Sequence, residues 1–240
     1  MLGGMAHFHV DVWSDIACPW CYVGKRRLEA ALQQFPERAG VHVRWHSFEL
    51  NPGAPRRLVE AGRYAERLAK KYGSSVRDAE ARIARLTELA RADGIALDFE
   101  RIQPGNTFDA HRVVHLAAEQ GRQDEMKERL LRGYLCEGEA IGEPEVLARL
   151  AVEVGLEEDR VRATLAGDDF ARAVRGDEAQ AQELGISGVP FFVLGGRYGV
   201  SGAQPAELLL RALQQAHEEL GREPEERELA EGAACGPDGC

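Results

Sequence analysis

Apolar and polar side chains alternate from Phe8 to Trp13, the period of a half-buried strand. The period then changes. From Pro19 onward Val23, Arg27, Leu28, Ala31, Leu32 and Phe35 fall on one helical stripe; Pro19 is tolerated in a first turn that needs no N–H partner, and Pro36 stops the run. Val41 to Leu50 returns to a strand period, with Val41, Val43, Trp45 and Ser47 on one face and His42, Arg44, His46 and Phe48 on the other. The first fifty residues therefore predict β-α-β.

From Asn51 to about Arg175 the chain is rich in Ala, Leu, Glu and Arg, broken by single glycines, and this pattern predicts a helical subdomain. Helices are expected at Val59–Tyr72, Val76–Asp93 and Phe108–Gln120, capped by Gly73, Gly94 and Gly121, with Asn106-Thr107 as N-cap of the third. Asp124–Cys136, Pro144–Val154 and Glu157–Leu165 follow. Asp168–Leu184 is one more helix, ended by Gly185. Ile186 to Leu194 then reads as a strand, Gly195-Gly196 as a turn and Arg197 to Val200 as its partner, a β-hairpin. Ala206–Leu220 closes the fold, and residues 221–240 are too polar to fold alone. The expected units are 8–52, 53–175, 176–220 and a flexible tail, 221–240. No internal repeat appears.

At 240 residues, 44% hydrophobic and 29% charged, the chain suits one globular unit or a core with an inserted subdomain. A net charge of −10 argues against a phosphate-binding surface, so no nucleic-acid partner is expected. No apolar run is long enough to span a bilayer, and residues 1–7 lack the features of an export signal, so a cytoplasmic location with no membrane partner is expected. In that setting the five cysteines, Cys18, Cys21, Cys136, Cys235 and Cys240, point to catalysis, redox sensing or metal binding over a structural disulfide framework.

Cys18-Pro19-Trp20-Cys21 sits behind the first strand and opens the first helix. Two thiols one turn apart can form a disulfide, and a helix N-terminus offers N–H groups and positive potential to a thiolate, which makes Cys18 the natural nucleophile. Cys18 thiolate attacks a substrate disulfide and Cys21 resolves the mixed disulfide; the reverse sequence oxidises a dithiol. Trp20 offers an apolar contact to substrate or covers the helix end. Asp15 relays protons or caps the loop, and His46 and Glu49 serve the site or a solvated face. Cys136 reads as a small buried hydrophobe. Cys235 and Cys240 are separated by turn residues that let them close a small ring and exchange with Cys18 and Cys21; alternatively the four thiols hold zinc.

Cys18-Pro19-Trp20-Cys21, a helical insertion, and Gly188-Val189-Pro190-Phe191-Phe192 before a hairpin together resemble thioredoxin-fold proteins of the DsbA-type family, in particular its FrnE-like branch. Asn106 to Arg112 and Ser201-Gly202-Ala203-Gln204 extend the likeness. The resemblance implies an α/β thioredoxin fold, β-α-β … α-β-β-α, with a large all-helical insertion. It implies a cis Val189–Pro190 bond beside the thiols, in a loop leading into an edge strand, where Val189 and Pro190 clamp an extended substrate. Asn106 and His111 become candidate substrate contacts. The function implied is a thiol-disulfide oxidoreductase that reduces and isomerises protein disulfides, with no cofactor or metal and an unassigned thiol reductant. Two alternatives remain: a small-molecule isomerase, glutathione-assisted or not, and a zinc-binding or chaperone-like protein without enzymatic activity.

Overall fold

The structure, a computed structural model, describes residues 8–58 and 62–232, with the backbone alone for 222–232. Its centre is β1 (Phe8–Ser14), which is buried along almost its whole length. β2 (Val41–Ser47) pairs with it in parallel and β3 (Phe191–Leu194) antiparallel, while β4 (Tyr198–Ser201) pairs with β3, giving the order β2-β1-β3-β4. The polar positions of β1 therefore do not meet water as expected. Val10 and Val12 belong to the main core, whereas Asp11 bonds Arg44 and His46, and Trp13 packs with Ala181 and Ile186 beneath a helix. A strand flanked on both sides in a sheet covered on both faces has no solvent face to alternate toward.

α1 (Pro19–Gln34) starts with Pro at its first turn and gives way at Phe35, before Pro36. It packs with α9 (Ala206–Gly232) on one face of the sheet through Val23, Leu28, Ala31, Leu209 and Leu213. The insertion supplies α2 (Tyr64–Tyr72), α3 (Val76–Ala92), α4 (Phe108–Glu119), α5 (Gln123–Arg132), α6 (Pro144–Glu153) and α7 (Glu158–Ala166), and α8 (Ala171–Glu183) leads from it into β3. α8 lies over the other sheet face, where the Asp177 carbonyl accepts from Trp13 Nε1 at 2.9 Å. Sheet and insertion share one core cluster that runs from Val10 through Leu116 to Leu165.

Several boundaries move. α2 begins at Tyr64, and part of the expected first turn, 59–61, lies outside the described residues. α5 stops at Arg132 and continues as a π-helical turn, Gly133–Glu137, closed by Gly138 at φ 76°. β2 ends at Ser47, and β3 starts only at Phe191, after the proline that has no N–H for a ladder. β3 is also not an edge strand: β1 and β4 hold both its sides. The edges are β2 and β4. The closing helix runs past Leu220 to Gly232, so part of the expected tail is helical; Cys235 and Cys240 lie outside the described residues. Among the described residues no helix is long and apolar enough to cross a membrane.

Candidate active site

β1 delivers the chain to a tight turn built on Asp15. Its Oδ1 accepts from Ala17 N at 3.2 Å, its Oδ2 from Leu50 N at 2.8 Å, and its carbonyl from Cys18 N at 3.3 Å. The carboxylate thus ties the approach loop to the segment after β2. Burial opposes its charge, but the nearby His111 and the hydrogen bonds from the two backbone N–H groups outweigh that and hold its pKa below the ordinary value. His111 Nε2 lies 3.5 Å from Asp15 Oδ1, and burial holds this imidazole below its usual pKa.

Cys18 is the N-cap residue of α1, in extended backbone, at the positive end of the helix dipole. Cys18 is 5% exposed, and its thiol donates to the Val189 carbonyl at 3.6 Å. The Val189–Pro190 bond is cis. Pro190 is held by Gly202 N, which donates to its carbonyl at 2.8 Å, and by α1 itself at Gly24. A Cβ on Gly24 would stand 2.8 Å from Pro190 Cγ, so glycine is what lets the proline loop reach the helix beside the thiols. Cys21 is fully buried one turn below Cys18, and its N–H donates to the Cys18 carbonyl at 3.0 Å. Burial pushes the Cys21 thiol well up, and Cys18 adds to this, whereas Lys127 and Ser14 pull it down. Both thiols are free.

Cys18, Pro19 and Trp20 form one wall of a cavity of about 530 Å³ whose other walls come from α2 and α3. Tyr64, Leu86 and Phe99 make it apolar, and Lys71, Arg82 and Arg85 give it a basic rim on an acidic chain. Trp20, 42% exposed, stands at the mouth. A second chamber of about 240 Å³ lies beside Asp15 and shares Ala17, Leu50 and Lys71 with the first. A thiolate at Cys18 thus meets an apolar, cation-edged space, the setting for attack on a disulfide held against the Val189 loop.

Fold and thiols brought together Cys18, Trp20, Cys21, Val189 and Pro190. Neither Asn106 nor His111 lines these two cavities. Asn106 Nδ2 donates to Glu49 Oε1 at 3.1 Å and its Oδ1 accepts from Phe108 N at 2.8 Å, so it caps α4 and ties down the loop after β2. His46 lies off the thiols, bonded to Asp11 and Asp177, and Glu49 is ion-paired with Arg175 at 2.6 Å. Cys136 is half-buried, and burial pushes its thiol up to about 11. Lys127, Ser14 and Tyr64 join the site without having been expected. Lys127 was legible in one respect: it shares a helical stripe with Leu130, Leu131 and Tyr134 and must point where they point.

Residues 9–214 match the family described as DSBA-like thioredoxin domain. The chain belongs to that family. Within its solved structures, this member is similar to the probable DsbA oxidoreductase SCO1869 from Streptomyces coelicolor, at 43% identity over 98% of both chains with a TM-score of 0.83. It is 27% identical to YwbO of Bacillus subtilis over 189 residues, which are 78% of this chain and 86% of that protein. The cytosolic disulfide reductase DsbM from Pseudomonas aeruginosa shares 20% identity over 90% of this chain and 98% of its own, with a TM-score of 0.54; that likeness concerns the fold.

Proposed function

We propose that this protein is a cytoplasmic thiol-disulfide oxidoreductase that reduces and isomerises protein disulfides through Cys18 and Cys21. The observation that carries the proposal is the placing of the Cys18 thiol at the N-terminus of α1, against the Val189 carbonyl and open to the cavity, with Cys21 buried behind it. Cys18 attacks the substrate disulfide while Trp20, Val189 and Pro190 hold the segment that carries it. Cys21 then displaces the substrate sulfur and closes the Cys18–Cys21 disulfide, which a thiol reductant reopens. Cys235 and Cys240 act as a second redox pair that exchanges with the first. No cofactor takes part.

The test is insulin disulfide reduction in the presence of a thiol reductant. Cys18→Ser is expected to abolish turnover, and Cys21→Ser to trap a mixed disulfide visible by mass spectrometry. Unchanged turnover of Cys18→Ser overturns the assignment. The apolar, cation-rimmed cavity also favours a second reading, an isomerase of small aromatic anions. That reading requires turnover of such an anion to survive Cys21→Ser, because one thiol suffices for it.

A further inference from the structure

Buried cations in this protein are otherwise well partnered. The Arg112 guanidinium bonds Asp109 at 2.8 Å and the carbonyls of Gly167 and Asp169, and Lys25 pairs with Glu29 and with Asp124 at 3.0 Å. Lys127 departs from this pattern. It is fully buried, forms no ion pair among the described residues, and spends its Nζ on one carbonyl, that of Ser14, at 3.0 Å. The Ser14 hydroxyl is buried too and has no hydrogen-bond partner. Both groups meet where β1 ends, at the Ser14 backbone, and both lower the pKa of the buried Cys21 thiol at the start of α1. A neutral thiol leaves an ammonium and a hydroxyl unanswered in such a place. A thiolate answers both at once, since it accepts a hydrogen bond from each and balances the charge.

We propose that Lys127 takes the proton of Cys21 as that thiol attacks the mixed disulfide on Cys18, and that Ser14 donates to the thiolate so formed. The proposal rests on the oxidoreductase reading and deepens it. In the step, the neutral Lys127 amine accepts the S–H proton and becomes ammonium. The Cys21 electron pair forms the bond to Cys18 Sγ. The bond between Cys18 and the substrate sulfur breaks, its pair leaving on that sulfur, which takes the proton from the ammonium, directly or relayed through water. Lys127 returns to the amine, and the electrons move within the thiols and the substrate disulfide.

The groups that face Lys127 are Cys18 and Cys21 at the start of α1, Asp15 in the loop, His111 from α4, Asp177 from α8 and the Trp45 ring of β2 at 5.8 Å. Burial pulls the lysine down to about 8, although the thiols and both carboxylates pull the other way. A base with a pKa near the working pH exchanges its proton readily in both directions.

The full chain carrying Cys235→Ser and Cys240→Ser is mixed with less than one equivalent of dithiobis(nitrobenzoate). One coloured thiolate leaves when Cys18 attacks and a second when Cys21 closes the ring, so one trace reports both steps. Lys127→Met is expected to keep the first release within about twofold and to slow the second at least about tenfold at pH 7, below the usual range for loss of a general base. The second release in the parent rises with pH through a midpoint near 8, and in Lys127→Met the midpoint moves upward. Ser14→Ala, which removes only a hydroxyl, slows the second release by roughly threefold to tenfold. A purely structural role changes both releases together and leaves the midpoint where it was. Equal second releases in parent and variants at every pH overturn the proposal. Absence of the first release in the parent overturns the oxidoreductase reading instead.

Discussion

His46 bridges two carboxylates: its Nδ1 lies 2.8 Å from Asp177 Oδ1 and its Nε2 2.8 Å from Asp11 Oδ1. Burial pushes the imidazole pKa down, yet the hydrogen bonds to Asp11 and Asp177 overcome this and raise it from 6.5 to about 9. A folded pKa above the unfolded one gives stability that is complete below about pH 6.5 and lost as pH rises through about 9. At about 1.36 kcal/mol per pKa unit, the shift corresponds to about 3 kcal/mol. The whole-protein pH profile conceals it, because Lys127 runs the other way. Its pKa falls from 10.5 to about 8 on folding, so its penalty is full below about 8 and disappears as pH rises toward 10.5. The comparison of wild type with His46→Gln removes that contribution, which is common to both. Urea unfolding at pH 6 and pH 9.5, followed by the fluorescence of Trp13 stacked 4.3 Å from the imidazole, gives the two stability differences. The difference is expected to be about 3 kcal/mol larger at pH 6 than at pH 9.5. A difference that stays constant between the two refutes the charged bridge and leaves His46 a neutral packing residue.

Other perturbations address the site and its support. Gly24→Ala places a methyl 2.8 Å from Pro190 Cγ; it is expected to cost about 1–3 kcal/mol in urea unfolding and to lower kcat/KM for insulin reduction by displacing the proline loop. Arg112→Met leaves Asp109 with Arg56 alone, at 3.0 Å, and takes the donor from the carbonyls of Gly167 and Asp169; a loss of about 1–3 kcal/mol is expected in the same assay. Charge reversal at Lys71, Arg82 and Arg85 together is expected to raise KM for acidic disulfide peptides more than for basic ones, measured as initial rates at low salt, with kcat little changed. Replacing Cys235 and Cys240 by Ser is expected to slow insulin reduction when the reductant is limiting and to leave it unchanged when reductant is in excess.

What could be read from the chain was what depends on neighbours in sequence. Cys18 and Cys21 announce themselves because a turn of helix fixes their separation, and Gly195-Gly196 marks the hairpin because both adopt positive φ. The location of β3 between β1 and β4 was not legible, since strand period says which residues share a face and nothing about which strands stand alongside. Asn106 and His111 drew attention through the family resemblance; Asn106 bonds Glu49, and His111 is buried with its Nε2 3.5 Å from Asp15. Lys127 escaped notice for the opposite reason. A lysine on an amphipathic helix normally marks the wet side, and here one buried position in an apolar stripe is reserved for it.

Under the proposed activity, the depth of Cys18 bears on which disulfides are within its reach. Cys18 is 5% exposed and lines a cavity beside Trp20, which is 42% exposed. A broad rigid surface cannot descend to it, whereas a single strand of chain can. Under the proposed activity, clients are therefore ranked by how easily the stretch around their disulfide peels away. Well-knit proteins would be passed over and loosened ones admitted, a sorting by local softness that needs no recognition sequence.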